Sequence, residues 1–239
     1  MKNIKTIAIV PARGGSKGLK DKNIATVDGI PLICHTLNQL NKCKKIDRIL
    51  LSTDSNVIKD IAESYGFKVP FLRDPIFAQD ETTMEETLKH ALNQSEDYWR
   101  EKFDICVYTS PTDIFRESKW IDNLINKLEV NNSLESAFMG IRSFRNFWSF
   151  ETNKKPKRVM KYMEIYGQRQ ERLKNQRYVI QECTGIGCAS RSFLWRNGRR
   201  IGDKVHIEIL PSDYQECDIH TKKDLEILRN IYKSKNNVN

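Results

Sequence analysis

The stretch "IAIVPARGGSKGLKDKNI", residues 7–24, determines most of the expected fold. It opens with a mostly apolar run that ends at Pro11, and glycines, arginine and lysines fill the positions that follow. A short apolar run bounded by Pro and Gly is typical of a buried strand. Glycines let backbone N–H groups approach oxygen atoms, and Arg13, Lys17 and Lys22 add positive charge. The stretch therefore predicts a buried strand that leads into an anion-binding loop, with an ordinary surface turn as the alternative.

The loop matches neither of two common nucleotide-binding motifs. The Walker A spacing G-x-x-x-x-G-K-[ST] is absent, and so is the G-x-G-x-x-G spacing of dinucleotide-binding proteins. The composition of the loop still suits phosphate, so the loop predicts the chemistry of a ligand without identifying it.

Predicted strands and helices alternate along the chain. Strands are expected over residues 4–11, 48–53, 67–73, 103–110, 135–143 and 205–210, and helices over 31–42, 55–65, 84–95, 117–130 and 221–233. Residues 184–190, "TGIGCAS", are expected to belong to the same core. This alternation predicts an α/β fold with a mainly parallel twisted sheet flanked by helices. Such sheets bind ligands at the carboxyl ends of their strands. The loops after residues 11, 53, 73 and 109 should then line one crevice.

One segment interrupts this alternation. Residues 144–182 are interpreted as an inserted arm, so the expected core comprises residues 1–143 and 183–239. Much of the positive charge lies in the arm, at residues 153–177, among regularly spaced aromatic and aliphatic side chains. Such a segment is not a typical disordered basic tail.

Composition limits the possible function. The chain of 239 residues has a formal net charge of +9, which favours an anionic partner, either nucleic acid or a polyphosphate nucleotide with an acidic co-substrate. No apolar stretch approaches the roughly 20 residues that a membrane span needs, and a signal peptide is not expected, so the expected location is cytoplasmic. The six cysteines show no C-x-x-C pair, which favours reduced structural thiols over a zinc site.

Six motifs, in order along almost the whole chain, resemble those of the cytidylyltransferases that activate nonulosonic acids, the CMP-sialic acid synthetase type. The first is the pattern A-R-x-x-S-K-G-L-x-x-K-N in the glycine-rich loop. The others are "LLSTDS" (50–55), "LRDPIFAQDETT" (72–83), "SPTDIFR" (110–116), "GQRQ" (167–170) and "DIHTKKDL" (218–225). The resemblance implies a Rossmann-like nucleotidyltransferase, in which the arm forms a homodimer and helps to close the neighbouring site.

The resemblance also implies that the glycine-rich loop embraces the triphosphate of CTP. The implied nucleotide-binding residues are Ala12, Arg13, Gly14, Ser16, Lys17, Asn23, Arg73 and Asp80. Lys22 would lie near the reacting α-phosphate, and the implied catalytic set is Arg13, Lys17, Lys22 and Asp218. From the residues alone, Lys22 could instead be a solvated loop lysine, and Arg73 could form an ion pair with Asp74 or Glu81.

The implied acceptor is an acidic sugar. The implied acceptor-binding residues are Ser110, Thr112, Arg169 and Gly185, with the Arg169 guanidinium pairing with the acceptor carboxylate. Mg²⁺, or Mn²⁺ as an alternative, would bind Asp218. The second aspartate of the family motif is replaced by His220, a poor magnesium ligand, so Asp213 or Asp224 could assist, or His220 could contact a phosphate or the substrate instead.

Three departures bear on the acceptor. Ser110 stands where the family has Gln, Asp113 stands where it has Ser, and "ECTGIGCAS" (182–190) replaces R-P-N-G-A-I-Y. The acceptor is therefore not assumed to be N-acetylneuraminate.

The expected activity is transfer of a cytidylyl group from CTP to the anomeric hydroxyl of a nonulosonic acid, which gives a CMP-sugar and pyrophosphate for surface polysaccharide biosynthesis. The expected partners are CTP and an acidic sugar, and neither nucleic acid nor a membrane. The alternatives are a cytidylyltransferase for another acid such as a phosphonate, a basic nucleic-acid-binding protein, and an inactive relative.

Overall fold

The computed structural model of the chain describes residues 4–143, 148, 149, 157, 158, 179–212, 214 and 219–236. The strands are β1 Thr6–Pro11, β2 Thr26–Val27, β3 Ile30–Pro31, β4 Arg48–Ser52, β5 Ile105–Tyr108, β6 Ser136–Ser143, β7 Trp148–Ser149, β8 Lys157–Arg158, β9 Val179–Glu182, β10 Cys188–Arg191 and β11 Val205–Ile209. The α-helices are α1 Leu32–Asn41, α2 Asn56–Ser64, α3 Met84–Trp99, α4 Ser118–Val130, α5 Ser192–Arg196 and α6 Lys222–Asn236. Short 3₁₀ segments cover Lys22–Ile24 and Pro75–Ala78.

The central sheet has seven strands in the described residues, in the order β11-β6-β10-β5-β1-β4, with β9 also paired to β6. Strands β4, β1, β5, β6 and β11 run in one direction, whereas β10 and β9 run in the opposite direction. The predicted mainly parallel α/β sheet is thus confirmed. Strand β10 is one of the two exceptions, since it lies antiparallel between β5 and β6.

Both faces of the sheet are covered, as the continuous apolar runs of the strands indicate. Along β1, Ala8 and Val10 pack against α1, α2 and α4, whereas Ile7 and Ile9 pack against α3 and α5 on the other face. All four side chains are fully buried. A strand without a polar face can only sit at the centre of a layered α/β fold, and the sequence of β1 therefore determines its place.

The C-terminal helix α6 lies away from these two layers. Its Leu225 and Leu228 pack in a third apolar cluster with Ile219 and with Leu19 of the glycine-rich loop. Leu32, at the start of α1, belongs to the same cluster. The glycine-rich loop after β1 is therefore packed against α6 and the residue Ile219 before it.

The helix ends follow the capping signals of the sequence. The Ser55 hydroxyl accepts a hydrogen bond from the Ile58 N–H at the start of α2, and Gly66, with φ +84°, follows its last turn. Thr83 and Glu86 form a capping box at the start of α3. This helix continues to Trp99, four residues beyond its predicted end.

The predicted strand at residues 67–73 is not formed. Pro70 has no backbone N–H and interrupts any hydrogen-bond ladder along this segment. Only the end of the segment reaches the sheet edge, where the Arg73 N–H donates to the carbonyl of Thr53 at 2.7 Å. The β2–β3 hairpin is an addition that was not predicted, and its turn has positive φ at both Asp28 and Gly29.

Most of the predicted arm, residues 144–182, lies outside the described residues. Its last four residues form β9 and pair with β6 in the central sheet. The division into core and arm stays a prediction. None of the helices in the described part of the chain is both long and apolar enough to cross a bilayer.

Candidate active site

The loops that follow the parallel strands meet at one edge of the sheet. The Ala12 N–H donates to the carbonyl of Ser52 at 2.9 Å, which joins the loop after β1 to the end of β4. The bond from Arg73 to Thr53 adds the segment that leads to residue 80. This edge is the place that the strand pattern predicts for a ligand.

The glycine-rich loop is held in shape by its neighbours. The Gly14 N–H donates to Asp54 Oδ1 at 3.0 Å, and the Asn23 side-chain amide donates to the carbonyl of Arg13 at 3.0 Å. Asn23 is buried, so its bond stabilises the loop from inside. Two of the predicted nucleotide-binding residues, Gly14 and Asn23, therefore also shape the loop.

Glycine is required at position 18 because the loop touches the segment before α6. A Cβ atom added to Gly18 would lie 2.9 Å from the carbonyl oxygen of His220. The neighbouring Lys22 donates from Nζ to the carbonyl of Ile219 at 3.0 Å. Ile219 and His220 directly follow Asp218, the predicted metal ligand, in the sequence.

Arg13 and Lys17 converge on one carboxylate. The Arg13 guanidinium lies 3.0 Å from Asp80, and Lys17 Nζ lies 2.6 Å from it. Arg13 also donates to the carbonyl of Gln79 at 3.2 Å. Hydrogen bonds from Lys17 and then Arg13 hold the pKa of the exposed Asp80 carboxyl below its usual range. The two predicted phosphate ligands are thus brought together, and a carboxylate occupies the position between them.

A cavity of about 210 Å³ opens beside the loop. Its lining includes Arg13, Gly14, Ser16, Asn23 and the helix-capping Ser55. Four of these five residues belong to the predicted nucleotide-binding set.

Arg73 is the predicted phosphate ligand that the structure uses differently. Its side chain is 4% exposed, and its three guanidinium nitrogens donate to the Ser52 hydroxyl, the Ser52 carbonyl and the Phe77 carbonyl. Burial lowers the pKa of this guanidinium to about 10, and the charge of Asp54 opposes the shift. Arg73 therefore joins the end of β4 to the 3₁₀ segment Pro75–Ala78. Its contact with a phosphate stays a prediction.

Three of the four predicted acceptor-binding residues lie together. The Ser110 N–H donates to the carbonyl of Gly185 at 2.7 Å, and the Ser110 and Thr112 hydroxyls share a hydrogen bond of 2.8 Å. A Cβ atom on Gly185 would lie 2.6 Å from Asp113 Oδ2, so only glycine fits this contact. Two segments about 75 residues apart in sequence, one after β5 and one before β10, thus form a single surface.

The residues predicted to bind the metal and the acceptor carboxylate lie largely outside the described part of the chain. Asp218, Asp213 and Arg169 lie outside the described residues. Asp224 caps α6, because its carboxylate accepts from the N–H groups of His220 and Thr221 at 2.9 and 2.7 Å. These bonds lower the pKa of Asp224, first through His220. Within the described ranges, no three His, Cys, Asp or Glu side chains form a metal site.

The geometry agrees with the comparison to known proteins. The cytidylyltransferase family model matches residues 7–182, about three quarters of the chain. The chain belongs to this family. The resemblance that the six sequence motifs indicate is therefore confirmed at the level of the family.

Two relatives and one solved structure show what the chain is similar to. It is 32% identical over 162 residues to N-acylneuraminate cytidylyltransferase of Escherichia coli, and the match covers 68% of this chain but only 35% of that protein. It is 26% identical over 238 residues to pseudaminic acid cytidylyltransferase of Campylobacter jejuni, with 96% and 97% covered. The structure of CMP:2-keto-3-deoxy-manno-octonic acid synthetase complexed with CTP has the same fold, with a TM-score of 0.72, 12% identity, and 97% and 99% of the chains covered.

Two residues of the candidate site were not predicted, although both lie in the quoted motifs. Asp54, in "LLSTDS", fixes the loop through Gly14. Arg116, the last residue of "SPTDIFR", is 1% exposed and donates to both the Ser110 and the Gly185 carbonyls. The motifs could have pointed to these positions, but the contacts join residues that are distant in sequence.

Proposed function

We propose that this chain transfers a cytidylyl group from CTP to the anomeric hydroxyl of a nonulosonic acid, which gives a CMP-sugar and pyrophosphate. The observation that carries the proposal is the cationic glycine-rich loop, fixed at the carboxyl end of β1 and joined to Asp80 through Arg13 and Lys17. Membership of the cytidylyltransferase family supports CTP as the nucleotide substrate, and the names of the two relatives support an acidic sugar as acceptor.

On the nucleotide side, Arg13 and Lys17 would bind phosphate oxygens in place of the Asp80 carboxylate. The loop needs little rearrangement for this, because Asp54 and Asn23 already fix its backbone. Charge-assisted hydrogen bonds to phosphate are short and strong, and the exposed Lys17 ammonium is free to follow the ligand. The cavity beside Ser55 would take the part of the nucleotide that follows the phosphates.

The chemical step is a direct displacement at phosphorus. The anomeric hydroxyl oxygen forms a bond to the α-phosphorus and loses its proton, while the bond from that phosphorus to the bridging oxygen breaks and pyrophosphate leaves. No covalent enzyme intermediate is needed. Positioning and neutralisation of the developing negative charge supply the rate enhancement, with Lys22 near the reacting phosphate.

We assign Mg²⁺, with Mn²⁺ as an alternative, to Asp218 together with phosphate oxygens and water. Two other carboxylates near the loop have structural partners, since Asp224 caps α6 and Asp80 pairs with Arg13 and Lys17. A bound Mg²⁺ would supply positive charge to the phosphates. The contact from Lys22 to Ile219 supports this assignment, because it joins the loop to the residue next to Asp218.

The proposal includes a homodimer formed by the arm, with Arg169 pairing with the acceptor carboxylate. It also includes a place before glycan assembly, because a CMP-activated acid is a donor for glycosyl transfer, as in surface polysaccharide biosynthesis. Light scattering of the purified protein tests the first point, and a monomer that is fully active would contradict it.

The activity is tested with purified protein, CTP and Mg²⁺ against a panel of acids, measured as pyrophosphate release and as the mass of the CMP product. The panel contains N-acetylneuraminate, pseudaminic acid, 2-keto-3-deoxy-manno-octonic acid and, as the phosphonate, 2-aminoethylphosphonate. We expect turnover with at least one nonulosonic acid and none when ATP replaces CTP. Turnover with the phosphonate alone, or with no acid, would contradict the proposal.

A further inference from the structure

We propose that Arg116 is a positioning residue that holds the acceptor side of the site together, an inference that rests on the proposed function. The Arg116 side chain is buried between α1, the segment after β5 and the segment before β10. It touches no residue of the glycine-rich loop among its hydrogen bonds, and it acts through the backbone of its neighbours.

One guanidinium joins three carbonyl groups. Nη2 donates to the carbonyls of Ser110 at 2.9 Å and Gly185 at 2.8 Å, and Nε donates to the carbonyl of Ile186. Nη1 donates to the Thr36 hydroxyl at 3.1 Å, which attaches the assembly to α1. The planar fork of arginine can hold several acceptors in one fixed arrangement, whereas the ammonium of lysine cannot.

These hydrogen bonds go to neutral oxygens, which makes the position unusual for a buried cation. A buried guanidinium is costly unless it is well paired, and a large apolar side chain could fill the same volume. Burial lowers the pKa of Arg116, and the charge of Asp113 acts in the opposite direction. What the guanidinium adds over an apolar side chain is the fixed direction of three backbone carbonyls.

Arg116 holds the segment at 110–116 and the loop at 183–187 close to each other. A methyl group on Gly185 would lie 2.6 Å from Asp113 Oδ2 and 3.2 Å from Ser110 Cβ, so the two segments are in close contact. Without the guanidinium, the carbonyls of Ser110 and Gly185 lose their common donor and the two segments can separate. The surface that carries the Ser110 and Thr112 hydroxyls would then no longer fit the acceptor.

Because the hydrogen bonds of Arg116 go to the acceptor segments and to Thr36 of α1, and none goes to the glycine-rich loop, its loss should change the KM for the acceptor and not the KM for CTP. In Arg116→Met we expect the KM for the acceptor to rise about 10-fold or more while the KM for CTP stays within about 2-fold of wild type. Arg116→Lys should show an intermediate rise. Thr36→Val, which removes one acceptor and keeps the guanidinium, should shift the acceptor KM slightly in the same direction. The acceptor is the acid of the panel that gives the highest wild-type rate.

The matched control is Arg191→Met. Arg191 also donates to backbone carbonyls, those of Leu128 at 2.7 Å and Leu134 at 3.1 Å, but it lies at the opposite end of β10 from the acceptor segment. Its loss should lower the melting temperature and leave both KM values unchanged. A merely structural role for Arg116 would give this same pattern.

An active wild type in which folded Arg116 variants change both KM values equally, or neither, overturns the inference and leaves the proposed function intact. If neither Arg116 variant folds, Thr36→Val decides, and an unchanged acceptor KM overturns the inference. A wild type that transfers nothing to any acid overturns the proposed function and this inference with it.

Discussion

Lys22 is the residue at which the glycine-rich loop reaches the C-terminal part of the chain. Its ammonium is half-buried and donates to the carbonyl of Ile219, the residue after Asp218. A lysine held in this way is not the solvated loop lysine that the sequence left as an alternative. In the proposed mechanism, its charge acts on the reacting phosphate.

Lys22→Ala should therefore lower kcat by about 100-fold or more, because a preorganised positive charge stabilises the transition state. Lys20→Ala is the matched control, since Lys20 is an exposed lysine of the same loop. The measurement is steady-state pyrophosphate release, with circular dichroism to verify folding. A Lys22→Ala rate within about 3-fold of wild type would exclude this role.

Asp80 offers a second test at this scale, because its geometry and its predicted role disagree. The family resemblance makes Asp80 a nucleotide-binding residue, whereas the structure shows it neutralising Arg13 and Lys17. We expect Asp80→Asn to tighten the binding of inorganic triphosphate by about 3-fold or more, because the phosphates no longer compete with a carboxylate. Calorimetric titration measures this affinity.

Glu81→Gln is the control for the loss of one negative charge near the loop, since Glu81 is the exposed neighbour of Asp80. It should change the affinity less than Asp80→Asn does. Weaker binding of triphosphate to Asp80→Asn would instead support direct participation of Asp80 in nucleotide binding.

At the scale of elements, α3 links the segment around Asp80 to the apolar cluster on the face of the sheet that α3 and α5 cover. Its first turn follows directly on that segment, and Leu88 and Leu92 lie in the layer with Ile7 and Ile9. The capping box fixes where the helix begins, and hence where the segment before it ends.

Thr83→Ala should lower the free energy of unfolding by about 1 kcal/mol, because the N–H of Glu86 loses its side-chain acceptor. Thr83→Ser keeps the hydroxyl and should lose much less. Urea denaturation at neutral pH measures both values. Equal stability of the alanine and serine variants would mean that the cap contributes nothing.

The elements also show which patterns the sequence determines. The strands β1, β4 and β5 and the helices α1 and α2 follow from apolar runs and capping residues that are local in sequence. The strand predicted at 67–73 does not form, because Pro70 has no backbone N–H to donate to a neighbouring strand. The apolar pattern alone does not reveal this missing donor. The antiparallel direction of β10 has no local signature, because its partners β5 and β6 are set by the whole topology.

The same distinction holds for the site. The loop cations could be predicted because glycine and lysine are clustered within a dozen positions. The role of Arg116 could not, because its acceptors Thr36 and Ile186 lie 80 and 70 positions away. The burial of Arg73 also depends on contacts with other elements, so the motif alone indicated an open ligand contact.

At the scale of the whole molecule, a buried carboxylate on α3 joins this helix to α5 and to the segment before β5. Glu96, on α3, accepts hydrogen bonds from the Phe103 N–H, from Lys102 and from Arg196 of α5. Burial alone would raise the pKa of Glu96, but the hydrogen bonds from Arg196, Lys102 and Phe103 together lower it below its usual 4.5. The ionised form is therefore the one that the folded state favours.

A carboxyl whose pKa is lower in the folded state stabilises fully above its ordinary pKa, and this stability is lost as the pH falls through the folded-state value. Glu96→Gln should lower the free energy of unfolding by about 2 kcal/mol at pH 7. The difference from wild type should shrink as the pH falls below 4.5, the usual pKa. Urea denaturation between pH 7 and pH 3 measures the effect.

Asp203→Asn, which breaks an exposed ion pair with Arg199, is the control and should show no resolvable change. A constant difference between Glu96→Gln and wild type across this pH range would contradict the assigned ionisation.

The antiparallel direction of β10 has a consequence for which segments related proteins can exchange. Because β10 meets the crevice with its beginning and not its end, the loop at 183–187 lies beside the segment at 110–116, and Thr36 of α1 holds that segment through hydrogen bonds. The Ser110–Gly185 hydrogen bond and the Arg116 guanidinium join these two segments to each other, so a change in one has to be matched by the other. We therefore expect chimeras that swap both segments together, and not singly, to fold and to alter the choice of the proposed acceptor.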